Sequence, residues 1–162
     1  MVKDSCIKEC SSDFTAIEVR SSGVHGLGAF ARSNLRRGQL VGKYAGRQMG
    51  ADDAVHRDDG LTYLFALSDG GYIDGAQGGN TTRFINHSCE PNCLAEEYHQ
   101  PGGRLGVRIR TLRPIAEAQE LFLDYSLIVD VADPPDAYPC HCGATTCRRT
   151  MVSPATDASP DA

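Results

Sequence analysis

The sequence predicts a mainly β domain of many short strands and few helices, and three observations carry that prediction. Gly contributes 17 and Pro 8 of the 162 residues, about 15% against a usual share of ~12%, so turn formers are in excess. Turn signals punctuate the chain at Ser21–Gly28, with three Gly, at Asp69-Gly70-Gly71 and at Pro101-Gly102-Gly103. The clearest periodic segment has period two: Leu105, Val107, Ile109 and Thr111 alternate with Gly106, Arg108 and Arg110, as a half-buried strand requires. A helical bundle is excluded on the same grounds.

Taken in order, Phe14–Arg20 reads as a first strand, with Ile17 and Val19 alternating against Glu18 and Arg20. The glycines of Ser21–Gly28 then break any element. Leu40–Tyr44 and Tyr63–Leu67 are short strands, separated by the polar surface stretch Gly50–Asp59 with its four Asp. Asp69-Gly70-Gly71 turns Tyr63–Leu67 into Tyr72–Asp74 as a hairpin. Asn80 caps a single helical turn through Phe84. Cys93–Tyr98 pairs back onto Leu105–Thr111 through the Pro101–Gly103 turn. Residues 152–162, small and polar with no aromatic, are expected to be a disordered tail.

At 17.4 kDa the chain suits one domain and not comfortably two. No uncharged apolar stretch approaches the ~20 residues of a membrane helix, so no membrane partner is expected. Met1–Cys10 carries Lys3, Asp4, Lys8 and Glu9 where a secretory leader would be apolar. The expected location is intracellular, cytoplasmic or nuclear, with export as an effector open. A formal charge of −5 argues against direct nucleic-acid binding by phosphate neutralisation and permits a basic partner. Seven Cys is odd for a disulfide framework, and Cys89 and Cys93 mid-chain with Cys140, Cys142 and Cys147 near the end suggest metal ligation in a reducing compartment. Cys6 and Cys10 read as free thiols and Cys93 as a small buried residue.

Four strings carry chemistry: Gly26-Leu27-Gly28; Arg83-Phe84-Ile85-Asn86-His87-Ser88-Cys89-Glu90-Pro91-Asn92-Cys93; Glu120-Leu121-Phe122-Leu123-Asp124-Tyr125; and Cys140-His141-Cys142 with Cys147. Each alone would read as a turn, a core strand or a set of free thiols. In this order and spacing, from about Phe14 to Met151, they resemble the SET-domain protein-lysine methyltransferases with a C-terminal post-SET zinc segment. The resemblance implies a β-clip-like fold of small curved sheets around a pseudoknot, with short helical turns. It divides the chain into a lead-in (1–13), a SET domain (14–127), a linker with the post-SET segment (128–151) and the tail (152–162).

The resemblance further implies S-adenosylmethionine as methyl donor, held by Gly26, Leu27, Gly28, Tyr63, Arg83, Phe84, Asn86 and His87. It implies Tyr125, Tyr63 and Tyr44 as the catalytic tyrosines and Phe65, Leu123 and Tyr125 as walls of a lysine channel. One structural Zn2+ would sit on Cys140, Cys142 and Cys147, the fourth ligand being Cys89. Methyl transfer from a sulfonium is an in-line displacement, so alignment is the main task. Burial and the neighbouring positive sulfur lower the lysine pKa, so no dedicated base is required. Asp124 then reads as a hydrogen-bonded structural carboxylate, and His141 as solvated.

The implied substrate is a lysine in a basic peptide, a histone tail above all, bound as an added strand. The rivals are a non-catalytic SET-fold binding module and a methyltransferase of a non-histone protein. Departures from the family pattern give the rivals weight. Lys43 and Arg47 stand where acidic residues are usual. Leu123 replaces an aromatic, which predicts room for higher methylation, and Ala118 replaces a turn Gly. Only 13 residues precede the first expected strand, so substrate selection is expected to rest on the core or on partners.

Overall fold

The computed structural model describes residues 16–53, 63–129 and 134–154. The expectations for the lead-in, for Cys6 and Cys10, for Phe14 and for 54–59 of the polar stretch lie outside those residues. Among them, ten short strands form four small sheets. β1 (Ile17–Ser21) and β2 (Leu27–Ala31) are an antiparallel pair. β3 (Leu40–Tyr44), β9 (Leu105–Thr111) and β8 (Cys93–His99) make one three-stranded antiparallel sheet, with β9 central. β4 (Arg47–Met49), β6 (Tyr72–Asp74) and β5 (Leu64–Ala66) make another. The last pair, β7 (Asn86–His87) with β10 (Phe122–Leu123), is parallel and two residues long.

The period-two reading of Leu105–Thr111 matches β9 end to end. Its inward side chains, Val107 and Ile109, are 1% and 0% exposed, and Val41 at the irregular step of β3 is 0% exposed. Ile17, Ala29, Val41, Ile85, Ile109, Ile115, Leu121 and Leu123 share one apolar cluster. Leu67, Ile73 and Val107 form a second. Tyr44 packs against both clusters, which fixes the ring that borders the site.

The glycine-rich stretch does not end the local structure. It is the turn of the β1–β2 hairpin, closed by Ser22 N–H donating to Gly26 O at 2.9 Å, and β2 already begins at Leu27. Asn80 caps a 3-10 turn over Thr81–Phe84, its side chain accepting from Thr82 N–H. The Arg83–Cys93 string is more than a polar turn: it contains β7 and opens β8. Val152, at the start of the expected tail, bridges Leu127 in parallel, and the expectation for 155–162 lies outside the described residues. Ala118 sits at φ 64°, the left-handed region where a Cβ costs about 1–2 kcal/mol.

Candidate functional site

The β7–β10 pairing sets Asn86 beside Phe122 and His87 beside Leu123, so residues 85–89 and 120–125 run side by side. Ser88 N–H extends the pairing to Leu123 O at 2.9 Å. Asn92, 0% exposed, ties the same strands crosswise. Its amide donates to Glu120 O at 2.7 Å and its Oδ1 accepts from Phe122 N–H at 2.8 Å.

Asn86 reaches the glycine turn directly. Its Nδ2 donates to His25 O at 3.3 Å, Leu27 O at 3.1 Å and Glu120 Oε1 at 2.9 Å. Gly28 is buried against the same carboxylate, and a Cβ there would overlap it. Gly26, Leu27, Gly28, Asn86 and Glu120 are therefore one locked unit. Glu120 carried no role in the sequence reading; nothing local marks a glutamate that closes a contact 92 residues from Gly28.

His87 is 4% exposed, and both ring nitrogens have partners. Nδ1 accepts from Tyr125 N–H at 3.0 Å, which puts the proton of the neutral ring on Nε2, 3.5 Å from Cys89 Sγ. Burial lowers the imidazole pKa against the pull of Asp124, whose Oδ1 lies 3.6 Å from Nδ1. Asp124 is a structural carboxylate: Arg148 grips it at 2.8 and 2.7 Å and Ser126 N–H donates at 3.0 Å. Burial raises its pKa, but these donors outweigh it and the carboxyl stays below its ordinary value.

The three tyrosines converge on the other side of this unit. Tyr44 Oη donates to Tyr63 O at 2.7 Å, and Tyr125 Oη donates to Ile85 O at 2.8 Å. Tyr44 stands 5.3 Å from Phe65, Tyr63 5.9 Å from Phe84, and Tyr125 5.3 Å from His87, centroid to centroid. Arg83 lies over the Phe84 and Tyr63 rings at 4.7 and 5.4 Å and donates to Gly75 O at 3.1 Å. Tyr125 is 40% exposed as a residue, yet burial of its hydroxyl, with Tyr63 beside it, pushes the pKa up to about 12. Burial, then Tyr125 and Asp74, raise Tyr44 as well. All the expected channel residues but Leu123 join this aromatic group by ring contact or hydroxyl field. Leu123 is 6% exposed and packs in the main apolar cluster.

The sulfurs of Cys89, Cys140, Cys142 and Cys147 all lie within 4.8 Å of one another, a group that could hold one metal ion. Main-chain donors point at the cluster, among them Arg148 N–H at 3.3 Å from Cys89 Sγ and Arg149 N–H at 3.4 Å from Cys147 Sγ. Burial opposes ionisation of Cys142, but N–H groups of Cys89 and Ala144 outweigh it and bring that thiol down to about 6. Cys93 stays apart; it is 1% exposed, and burial raises its thiol to about 12. His141 is exposed. Glu90 anchors the cysteine segment from outside the cluster, accepting from Thr146 Oγ1 at 2.7 Å and N–H at 3.1 Å.

Comparison with known proteins agrees with this geometry. Residues 26–126 match the SET domain profile. The chain is 37% identical over 142 residues to histone-lysine N-methyltransferase 2B of Homo sapiens, covering 84% of this chain and 5% of the relative. It is 39% identical over 134 residues to the H3 lysine-4 specific histone-lysine N-methyltransferase of Schizosaccharomyces pombe, covering 78% of this chain and 14% of the relative. Among solved structures, the crystal structure of the Chaetomium thermophilum polycomb repressive complex 2 superposes with a TM-score of 0.64 at 25% identity. That match covers 72% of this chain and 16% of the other. The chain thus spans a small fraction of the curated relatives it resembles.

Proposed function

The chain belongs to the SET domain family, and from that membership we propose that it is an S-adenosylmethionine-dependent protein-lysine N-methyltransferase. A histone tail or a similar flexible peptide is its substrate. The observation that carries the reading is the junction at Tyr125. Its hydroxyl belongs to the Tyr44–Tyr63 aromatic group, while its backbone N–H is held by His87 of the Asn86–His87 pair.

S-adenosylmethionine, when bound, supplies a methyl group on a positively charged sulfur. The remaining work falls to this chain. Asn86 and Glu120 hold the Gly26–Gly28 turn so that its main chain faces the cofactor. Tyr63, Arg83 and Phe84 form a stacked wall beside it. With both His87 nitrogens engaged within the protein, any contact of that residue with the donor falls to its backbone. Tyr44, Tyr63, Phe65 and Tyr125 exclude water around the entering lysine, and burial disfavours its ammonium form, so the amine arrives neutral. The Tyr125 hydroxyl, with a pKa near 12, stays protonated throughout and orients the amine rather than removing its proton. The amine's proton leaves to solvent before entry.

The cysteine cluster fits zinc. Four thiolates at the usual ~2.3 Å on a tetrahedral ion lie about 3.8 Å apart, and Cys89 Sγ and Cys140 Sγ are 3.7 Å apart. Zinc there would fasten residues 140–147 to the strand that carries His87 and hold the lysine entrance closed on that side.

The test incubates metal-loaded protein with labelled S-adenosylmethionine and a mixture of histones and basic peptides. Label should move to lysine, and both Tyr125→Phe and Asn86→Ala should lower the rate on the order of 10²-fold, the cost of lost alignment. Cofactor binding without transfer to any lysine would favour a non-catalytic binding module. Absence of cofactor binding would sink the reading.

A further inference from the structure

One face of the β3–β9–β8 sheet is basic although the chain as a whole carries −5. Val107 and Ile109 point to the core, which turns Arg108 and Arg110 outward by alternation, and Lys43 shares their face as the cross-strand partner of Arg108. The Tyr98 ring lies between them, 5.3 Å from Lys43 Nζ and 5.9 Å from Arg108 Cζ. The carboxylate on this face, Glu96, is shared between Arg108 at 2.9 Å and Arg110 at 3.2 Å, so it does not neutralise Lys43.

Beside this face opens a cavity of about 350 Å³, walled by Lys43, Tyr44, Gln48, Tyr98, Gln100 and Arg104 among others. Among the described residues no carboxylate lines it. Both its cations are exposed. Gln48 and Gln100 each donate one amide N–H to Leu105 O at 3.1 Å, which fixes both amides in the wall and leaves each a second N–H. Tyr44 is the wall shared with the catalytic group, since its hydroxyl holds Tyr63 O.

We infer that this cavity binds an anionic side chain of the substrate, Asp, Glu or a phosphorylated residue, on one flank of the target lysine. The placement rests on the methyltransferase reading; the charge and shape of the cavity do not. Lys43 and Arg104 supply the attraction, and the glutamine amides supply the short-range donors. A uniformly basic tail meets like charge here, so the preferred peptide is a lysine with an acid beside it.

The experiment measures binding and transfer separately, with metal-loaded full chain. One set of labelled peptides holds the target lysine constant and scans Glu, phosphoserine, Ala or Lys across every flanking position. At low salt, one acidic position should tighten binding about fivefold over Lys at the same place, the scale of two exposed ion pairs. Added salt should erase the gain. Lys43→Glu with Arg104→Glu should invert the preference while transfer to the Ala-flanked peptide is unchanged. Lys43→Ala with Arg104→Ala, which should abolish the preference, keeps the test open if charge reversal unfolds the protein. An acid preference in binding with no transfer to any peptide would uphold the cavity and sink the enzyme reading. Transfer with no acid preference at any position would overturn the cavity and spare the enzyme. A DNA duplex that binds more tightly than every acidic peptide, and loses that binding in both double variants, would overturn it too, by making the face a nucleic-acid surface.

Discussion

The β3–β9–β8 sheet and the cysteine segment 134–154 are held in place by different physics. In the sheet, Val41, Ile109 and Val107 are all within 1% of full burial, and the strands pair over seven residues between β8 and β9. In 134–154, Cys140 alone is buried among the residues whose burial is described. That segment is fastened by backbone and charge. Leu127 N–H donates to Met151 O at 3.1 Å and Ser153 N–H to Leu127 O at 2.9 Å. Arg148 grips Asp124, Thr146 leans on Glu90, and four sulfurs converge. A region with so little apolar burial needs an added source of free energy, and the thiol cluster is where an ion would supply it. The site sits on the seam between the two, because Tyr125 follows β10 and precedes the Leu127–Val152 bridge.

The largest effect should come from the cluster itself. Stripping the metal with a chelator, or Cys147→Ser, withdraws on the order of 10 kcal/mol from the segment. Methyl transfer should be lost, and amide exchange at Met151 and Ser153 should accelerate while Val107 and Ile109 stay protected. Equal loss of protection in the sheet would break the comparison. Ile109→Ala probes the other side, and should cost about 3–4 kcal/mol by leaving a cavity. It should lower the melting temperature without speeding metal release from the thiols.

A smaller effect is expected at the seam. Asp124 and Arg148 are 28% and 25% exposed as side chains, so their pair should contribute about 1 kcal/mol after solvent screening. Because the folded carboxyl titrates below its ordinary value, that contribution is complete above the unfolded value near ~4. It is lost as pH falls through the folded value. Arg148→Ala should therefore loosen the segment at neutral pH and blunt this acid-induced loosening, read as the difference in exchange between parent and variant. The smallest effect is a gain. Ala118→Gly relieves the left-handed strain at φ 64°, and, after the greater freedom of unfolded Gly is subtracted, should add about 0.5–1 kcal/mol to the sheet region by thermal melting.

Sequence and structure agree where the signal is local. Alternation in Leu105–Thr111, the Asp69–Gly71 hairpin and the Asn80 cap each need only neighbours to be read, and three of the four cysteines sit within eight residues. Long-range features were silent. β7 and β10 are two residues each, too short to show any period, and their parallel pairing joins segments 36 residues apart. The Asp124–Arg148 grip and the Glu120–Asn86 bond lie between residues whose types are ordinary for a surface. Cys89 entered the thiol group only through resemblance to a family, because nothing within its own string distinguishes it from Cys93. Of the basic sheet face only Lys43 was marked in the sequence, since Arg47 falls in β4 of another sheet, and the cavity needed Tyr98 and Arg104 brought across a hairpin.

The glycine turn has a consequence for how this sequence can drift. A side chain at position 28 would push the Glu120 carboxylate away from Asn86, whose amide also carries His25 O and Leu27 O. Shortening Glu120 to make room would leave Asn86 without that acceptor, and replacing Asn86 would release the turn. Positions 28, 86 and 120 therefore form a triplet that no single step improves. Lineages descending from this chain should keep all three or exchange them together.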